Sequence, residues 1–477
     1  MRPEQSLAEC TARLVKDHPG QSGTLALADG RESFAARVQL IDAAQRSIDC
    51  QYYIWRPDVS GTLLLEALRR AANRGVSVRL LLDDHNTAGL DTMLAACDSH
   101  GNFAVRLFNA HSLRRWRLLG LLMDFARLNR RMHNKSFTVD GAVTIVGGRN
   151  VGDEYFGAHQ GISFIDLDVL AIGDAAARVS RDFERYWTSK PAVPVARLMP
   201  GATAQSLGAM ERAAAKTLSS PEARAYSASI AATNLVASLR AGTLPIEWAR
   251  VRLVSDSPSK GLGLVGRRKL LFRRLRRVLG APRHELLLVS PYFVPTRRGM
   301  RLLLGLARRA VRITVLTNSL EATDVAAVHA GYAAYRRALL GAGVSLYEIK
   351  RVATISRDKD RHTGDSSCSS LHAKAFCVDR ARVFIGSLNF DARSVRLNTE
   401  MGLVIESEKM AEFVAAEVAT RRFRDETYAV RLAESGRLEW VEQTAAGELI
   451  HGREPNAGPA RRFVVRALSL LRIDWLL

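Results

Sequence analysis

Apolar and polar positions along this chain fall into blocks, and the blocks come twice. SIDCQYYIW is an apolar run at strand spacing, TLLLEALRRAANRG gathers Leu and Ala on one helical face, and VSVRLLLDD is apolar again. Some 240 residues later HELLLVSPYFVP, MRLLLGLARRA and VRITVLTNS repeat the order, with Tyr52 and Tyr53 matched by Tyr292 and Phe293. Period two, then about 3.6, then two again predicts strand, helix and strand in each half. Alternating strands and helices imply an α/β fold: two pseudo-symmetric domains, each a mixed β-sheet layered with helices. The first domain is expected over residues 1–190. A connector rich in Ala, Ser, Pro and Gly, with some helix, follows over 191–244, and the second domain spans 245–477 and ends in a basic, apolar tail.

Inside this frame one polar pattern recurs without slippage. The first copy, HNKSFTVDGAVTIVGGRN, holds His133, Lys135, Asp140, Gly147, Gly148 and Asn150; the second, HAKAFCVDRARVFIGSLN, holds His372, Lys374, Asp379, Gly386, Ser387 and Asn389. A single copy would read as an ordinary strand, turn and strand with some surface polar residues. The same reactive side chains in matching apolar frames argue instead for a duplicated half-site.

On an extended strand residues two apart share a face, so each His and its Lys line one wall. Halves meeting across a pseudo-dyad, with the active site at their interface, would combine two imidazoles and two ammonium groups with the donors Asn150, Asn389 and Ser387. That array suits the non-bridging oxygens of a phosphodiester. One imidazole can attack phosphorus to form a phosphohistidine while the other acts as acid and then base. The lysines supply positive charge, so no metal or other cofactor is expected. Each histidine needs an orienting partner on its other nitrogen. Glu400, 28 residues after His372, and Asp166, on the corresponding strand of the first half, are the candidates, with Asp168 competing. Asp140 and Asp379 belong to the motif's catalytic set by position, but five residues past each lysine they suit holding the turn better than making bonds.

Composition narrows the partner. At 47% hydrophobic and 25% charged residues, 477 positions suffice for two cored domains. The balance of 69 basic to 48 acidic residues, net +21, predicts an anionic partner. Three segments concentrate the charge: Arg106 to Arg131 with seven arginines to one acid, RRKLLFRRLRR at 267–277, and the C-terminal RRFVVRALSLLRIDWLL. Arginine mixed with Leu and Trp suits the interface of an anionic membrane; each segment could equally be a helix packed on its domain with solvated arginines. Nucleic acid would call for stacking aromatics, and these are only 7% of the chain. Cys10, Cys50, Cys97, Cys368 and Cys377 lack metal or redox spacing, and most are expected to be small buried hydrophobes in a reducing compartment. No signal-like N-terminus and no 18-residue apolar run is present, so membrane contact is expected to be peripheral.

The doubled HxKx4Dx6G pattern with its trailing asparagines resembles the phospholipase D superfamily, and MHNKSFTVDGAVTIVGGRNVGDEYF, TNSLEATDVAAVHAGYAAYRR and LNTEMGLVIES are most similar to bacterial cardiolipin synthases of the type C subgroup. The resemblance implies His133 and His372 as nucleophile and acid/base pair, with reason to favour His133 as nucleophile. It implies Lys135 and Lys374 as phosphate clamps and Asn150 and Asn389 as further phosphate ligands; Gly148 in place of the usual serine leaves Ser387 as the one hydroxyl. It further implies an anionic phospholipid membrane as partner, phosphatidylglycerol and phosphatidylethanolamine as candidate substrates, no nucleic acid, and a peripheral position on the cytoplasmic side of the bacterial inner membrane. Tyr52, Tyr53, Asn86, Asp153, Glu154, His329 and Tyr332 lie in similar segments and would extend the pocket. Hydrolysis to phosphatidic acid, a nucleic-acid phosphodiesterase and an inactive lipid-binding scaffold are the competing readings.

Overall fold

The structure, a computed structural model, describes residues 5–157, 162–199, 201–354, 367–420 and 425–470. It divides into two compact units: Met1–His159 with Leu167–Leu271 and Leu397–Leu403, and Gln160–Asp166 with Phe272–Arg396 and Val404–Leu477. Each unit thus includes a short segment from the other half of the chain.

The strands up to residue 255 are β1 (Ser22–Leu27), β2 (Ser47–Tyr52), β3 (Ser77–Asp83), β4 (Phe103–Phe108), β5 (Ser136–Val139), β6 (Val143–Gly147), β7 (Ile162–Ile165), β8 (Asp168–Gly173), β9 (Ala192–Pro194) and β10 (Glu247–Ser255). All but β7 form the first unit's sheet, in the order β10-β1-β8-β6-β5-β2-β3-β4-β9. Only β2, β3 and β4 run parallel, and Leu80, Leu81 and Leu82 are buried in succession, as expected where helices cover both faces of a parallel core. Residues 191–244, expected as a connector with some helix, fall within the first unit. Helices Ala204–Leu218, Pro221–Ala232 and Leu235–Ala241 pack on helices Gly30–Ala43, Val59–Asn73 and Asp91–Asp98, and β10 pairs with β1. The Ala-rich composition that looks like a linker allows close helix-on-helix packing, so the first unit runs on to Leu271.

The later strands are β11 (Glu285–Val289), β12 (Arg312–Asn318), β13 (Ser345–Ile349), β14 (Val352–Thr354), β15 (Ser367–Leu371), β16 (Ala375–Val378), β17 (Arg382–Gly386), β18 (Met401–Glu406), β19 (Thr427–Leu432), β20 (Leu438–Thr444) and β21 (Gly447–His451). The second unit's sheet reads β21-β20-β19-β13-β12-β11-β16-β17, with β11, β12 and β13 parallel. A separate small sheet, β14-β15-β7, pairs β7 parallel to β15. The repeat is therefore topological: β4-β3-β2-β5-β6 in one unit and β13-β12-β11-β16-β17 in the other share order and direction.

The motif aspartates build the hairpins of this repeat. Asp140 and Asp379 both sit in the left-handed region at φ 53°. The Asp140 carboxylate accepts the amides of Gln45, Arg46 and Ser47 at 3.1, 2.8 and 2.9 Å, where β2 begins. Asp379 does the same for Arg283, His284 and Glu285 ahead of β11. Burial pushes the Asp379 carboxyl up, but the three amides outweigh it and hold the group below the ordinary value. Both carboxylates are thus engaged at the starts of β2 and β11, where holding the turn is the use expected of them. Asp140→Ala should cost about 1–3 kcal/mol by leaving strand-start amides without their acceptor, measured by denaturant unfolding. Activity per folded molecule should be retained.

Candidate active site

In the first unit, Met132 is locked in a core cluster with Leu81, Phe108, Phe183, Tyr186 and Trp187, and the next residue is His133. Met132 pairs parallel with Thr399, the His133 amide donates to the Thr399 carbonyl at 2.9 Å, and the Thr399 amide donates to the Arg131 carbonyl at 2.9 Å. That register seats Glu400 beside the imidazole, where His133 Nδ1 lies 2.9 Å from Glu400 Oε2. An ionised carboxylate only accepts, so the proton of this bond is on Nδ1, and chemistry at phosphorus falls to Nε2. Glu400 is fully buried and His133 nearly so. Behind them, the Glu400 amide donates to Asp256 Oδ2 at 3.2 Å, and Lys260 Nζ donates to the same oxygen at 2.7 Å. Burial pushes the Asp256 carboxyl up even against the Lys260 ammonium. Lys135, almost wholly buried, donates to the His133 carbonyl at 2.7 Å. The Tyr53 ring packs edge-on to His133 at 5.0 Å and carries Lys135 Nζ over its face at 5.5 Å.

The second unit repeats the register, the acid, the lysine and the neighbouring ring. Leu371 registers parallel with Ile165, the His372 amide donates to the Ile165 carbonyl at 2.8 Å, and Asp166 follows. His372 Nδ1 lies 2.5 Å from Asp166 Oδ2. Lys374 Nζ is 2.9 Å from the same ring nitrogen, but an Nδ1–H aimed at a carboxylate cannot also accept, so the ammonium's bond is the one it makes to the His372 carbonyl. Phe164 lies against His372 at 5.1 Å between centroids, as Tyr53 does against His133.

The family model described as "Cardiolipin synthase, PLD-like domain" matches residues 38–187 and 275–421, covering both half-sites. The chain belongs to this phospholipase D-like family. It is 47% identical over 472 residues to cardiolipin synthase C of Escherichia coli K12, with 99% of each chain covered, and 26% identical to a cardiolipin synthase of Geobacillus thermodenitrificans over 84% of this chain and 80% of that one. The solved structure of a phosphatidylserine synthase from Haemophilus influenzae Rd KW20 shares the fold at a TM-score of 0.61 and 14% identity, covering 98% of this chain and all of the other. As a cardiolipin synthase homologue with this domain, the chain is a phosphatidyltransferase.

Within this cardiolipin synthase framework the orienting acids are exchanged relative to their order in the chain. Glu400 serves His133, not the nearer His372, and Asp166 serves His372. Asp168, the competing candidate, is elsewhere: it accepts Ser33 Oγ and Arg37 Nη2, both at 2.9 Å, and pairs with Arg149. Asp168 also explains Gly147, whose Cβ would fall 2.0 Å from an Asp168 oxygen. Asn150 accepts the Ile54 amide at 3.2 Å and donates one amide hydrogen to Tyr155 Oη at 3.1 Å. Asn389 is buried, its Oδ1 without a hydrogen-bond partner among the described residues, and Ser387 is fully buried. Of the remaining positions, Tyr52 is a core residue bonded to Arg37, Asp153 holds the amides of Val59 and Ser60, and His329 is bonded to Glu454.

Two positioning residues escape the sequence pattern. Asp83, last in β3, accepts the Met132 amide at 2.7 Å, and Asn318, last in β12, accepts the Leu371 amide at 2.9 Å and donates to its carbonyl at 3.0 Å. Each thus grips the residue before a motif histidine. Their equivalence is hidden because one is Asp and the other Asn; the ends of the second strand in each repeat, LLLDD and VLTNS, carried the signal.

Replacing Glu400 by Gln or Asp166 by Asn keeps the shape and removes the anion. The kcat of either variant should fall about 10²- to 10⁴-fold with KM little changed. A change confined to KM or to the melting temperature would contradict the orienting role.

Proposed function

We propose that the chain makes cardiolipin by taking a phosphatidyl group from phosphatidylglycerol or phosphatidylethanolamine onto His133 and passing it to the terminal hydroxyl of a second phosphatidylglycerol. The observation that carries this reading is the doubled half-site, each imidazole fixed through Nδ1 by a buried carboxylate. In the first step His133 Nε2 bonds to phosphorus, the bond to the headgroup oxygen breaks, and His372 as imidazolium gives that oxygen its proton. In the second step His372 takes the proton of the incoming hydroxyl, its oxygen bonds to phosphorus and the P–N bond breaks, restoring both histidines.

Throughout, the carboxylates favour the imidazolium states. The buried ammonium groups of Lys135 and Lys374 offset the charge of the phosphate oxygens; Asn150, Asn389 and Ser387 add hydrogen bonds. Family membership, the duplicated motif and the family's phospholipid chemistry support this division of labour, on a protein held peripherally at the cytoplasmic face of the inner membrane.

Mass spectrometry of lipids after incubating the protein with phosphatidylglycerol vesicles, with and without phosphatidylethanolamine, tests the reaction. Cardiolipin should form, at an unchanged rate in EDTA; phosphatidic acid alone would make the enzyme a hydrolase. His133→Ala and His372→Ala should each abolish turnover without unfolding the chain. An acid-quenched intermediate mapped to residue 133 would support the assigned nucleophile, and one at residue 372 would reverse the roles.

A further inference from the structure

The three basic, leucine-rich segments do not behave alike. Helix Leu271–Leu279 buries Leu275 and Leu279 and leaves Arg273, Arg274, Arg276 and Arg277 exposed, the ordinary arrangement of a packed amphipathic helix. The C-terminal helix Pro459–Leu470 exposes Phe463, and the terminal Trp475, Leu476 and Leu477 lie outside the described residues. Residues 113–127 invert the ordinary arrangement. Arg114 donates to both oxygens of the fully buried Asp84 at 2.7 and 2.8 Å and to Asp91 at 3.0 and 2.5 Å. Arg117 donates to the Asp84 carbonyl at 2.9 Å and to Thr87 Oγ1 at 3.2 Å, and Arg127 donates to Asp124 and, at 2.8 Å, to Asn109. With these charges folded back onto the domain, the apolar side chains point outward. Trp116, Leu118, Leu122 and Met123 are each 71–75% exposed, flanked by Leu119 and Phe125 at about half.

We infer that this segment, centred on helix Arg117–Met123, is the element by which the enzyme enters the lipid bilayer, its Leu, Met and Trp side chains reaching the acyl region. A contiguous cluster of large apolar side chains on a soluble domain marks a contact surface. The occupant follows from three observations. The family's substrates are phospholipids, so the reacting groups lie in a bilayer surface. Among the described residues no helix is long and apolar enough to cross a membrane, while helix Arg117–Met123 is a short element at the surface. The chain as a whole carries a net charge of +21, complementary to anionic headgroups. A seven-residue helix is about 10 Å long, enough to lie within one leaflet's interface, with Trp116 at the depth indole prefers. Specifying a lipid occupant rests on the family's phospholipid chemistry; the test below reads binding, not turnover.

The full chain and a Leu118→Ser, Leu122→Ser, Met123→Ser variant are compared by flotation with vesicles of phosphatidylglycerol and phosphatidylcholine at about 0.5 M salt, where the Debye length is only about 4 Å and general attraction by the net charge is screened. The variant should keep its circular dichroism and bind more than tenfold more weakly. In the wild type, the fluorescence attributable to Trp116, taken as the difference from Trp116→Phe, should shift to the blue on vesicles and be quenched by brominated acyl chains. Equal binding by the two proteins, or no quenching, would overturn the inference. So would a wild-type oligomer that the triple variant dissolves while vesicle binding stays the same, since a second copy would then cover the face. Vesicle binding through these residues without any cardiolipin formed would leave the inference standing and defeat the proposed reaction instead.

Discussion

Everything chemical in this protein depends on a two-residue parallel register made twice. The residue before each motif histidine pairs with the residue before an acid, Met132 with Thr399 and Leu371 with Ile165. The backbone bond from each histidine amide to that partner's carbonyl then leaves the carboxylate facing Nδ1. A side-chain contact alone would let both groups rotate. Anchoring both in backbone pairing removes that freedom before any substrate arrives, and preorganisation of this kind is what an electrostatic site needs.

The surroundings reinforce the register from both sides. Asp83 and Asn318 hold the strand ends ahead of the histidines, and Asp256 with Lys260 holds the backbone behind Glu400. Each lysine is tied to the carbonyl of its own histidine, so the cation and the imidazole move as one. A buried ammonium is costly unless it meets acceptors, and a phosphodiester brings negative oxygens at the moment of reaction.

Much of this was legible in the residues. The strand-helix-strand blocks, the repeat, and the face shared by each motif histidine and its lysine follow from spacing, because periods of two and 3.6 report which face a residue lies on. The pairing of the acids was not legible. Glu400 is nearer in the chain to His372, and nothing local announces a parallel contact between short segments 267 positions apart. The role of Asp168 was hidden for the same reason, since its partners Ser33 and Arg37 come from a helix near the N-terminus. At residues 191–244 composition allowed some helix but did not say that its small residues serve packing on the first unit's helices. It was silent on which basic segment turns its leucines outward, because the inward pull on Arg114 and Arg117 comes from Asp84 and Asp91, outside the segment.

The exchange of acids between the halves also governs the order in which the site comes into being. On the ribosome, His133 emerges long before Glu400, so a first unit made up to residue 271 holds an imidazole whose carboxylate has not been synthesised. Asp166 likewise waits for His372. No cut between residues 166 and 372 leaves either histidine on the same piece of chain as its acid. An enzyme that handles membrane phospholipids is thereby kept from assembling an oriented catalytic pair until nearly the whole chain has been made, and truncated products carry the parts of the site without its geometry.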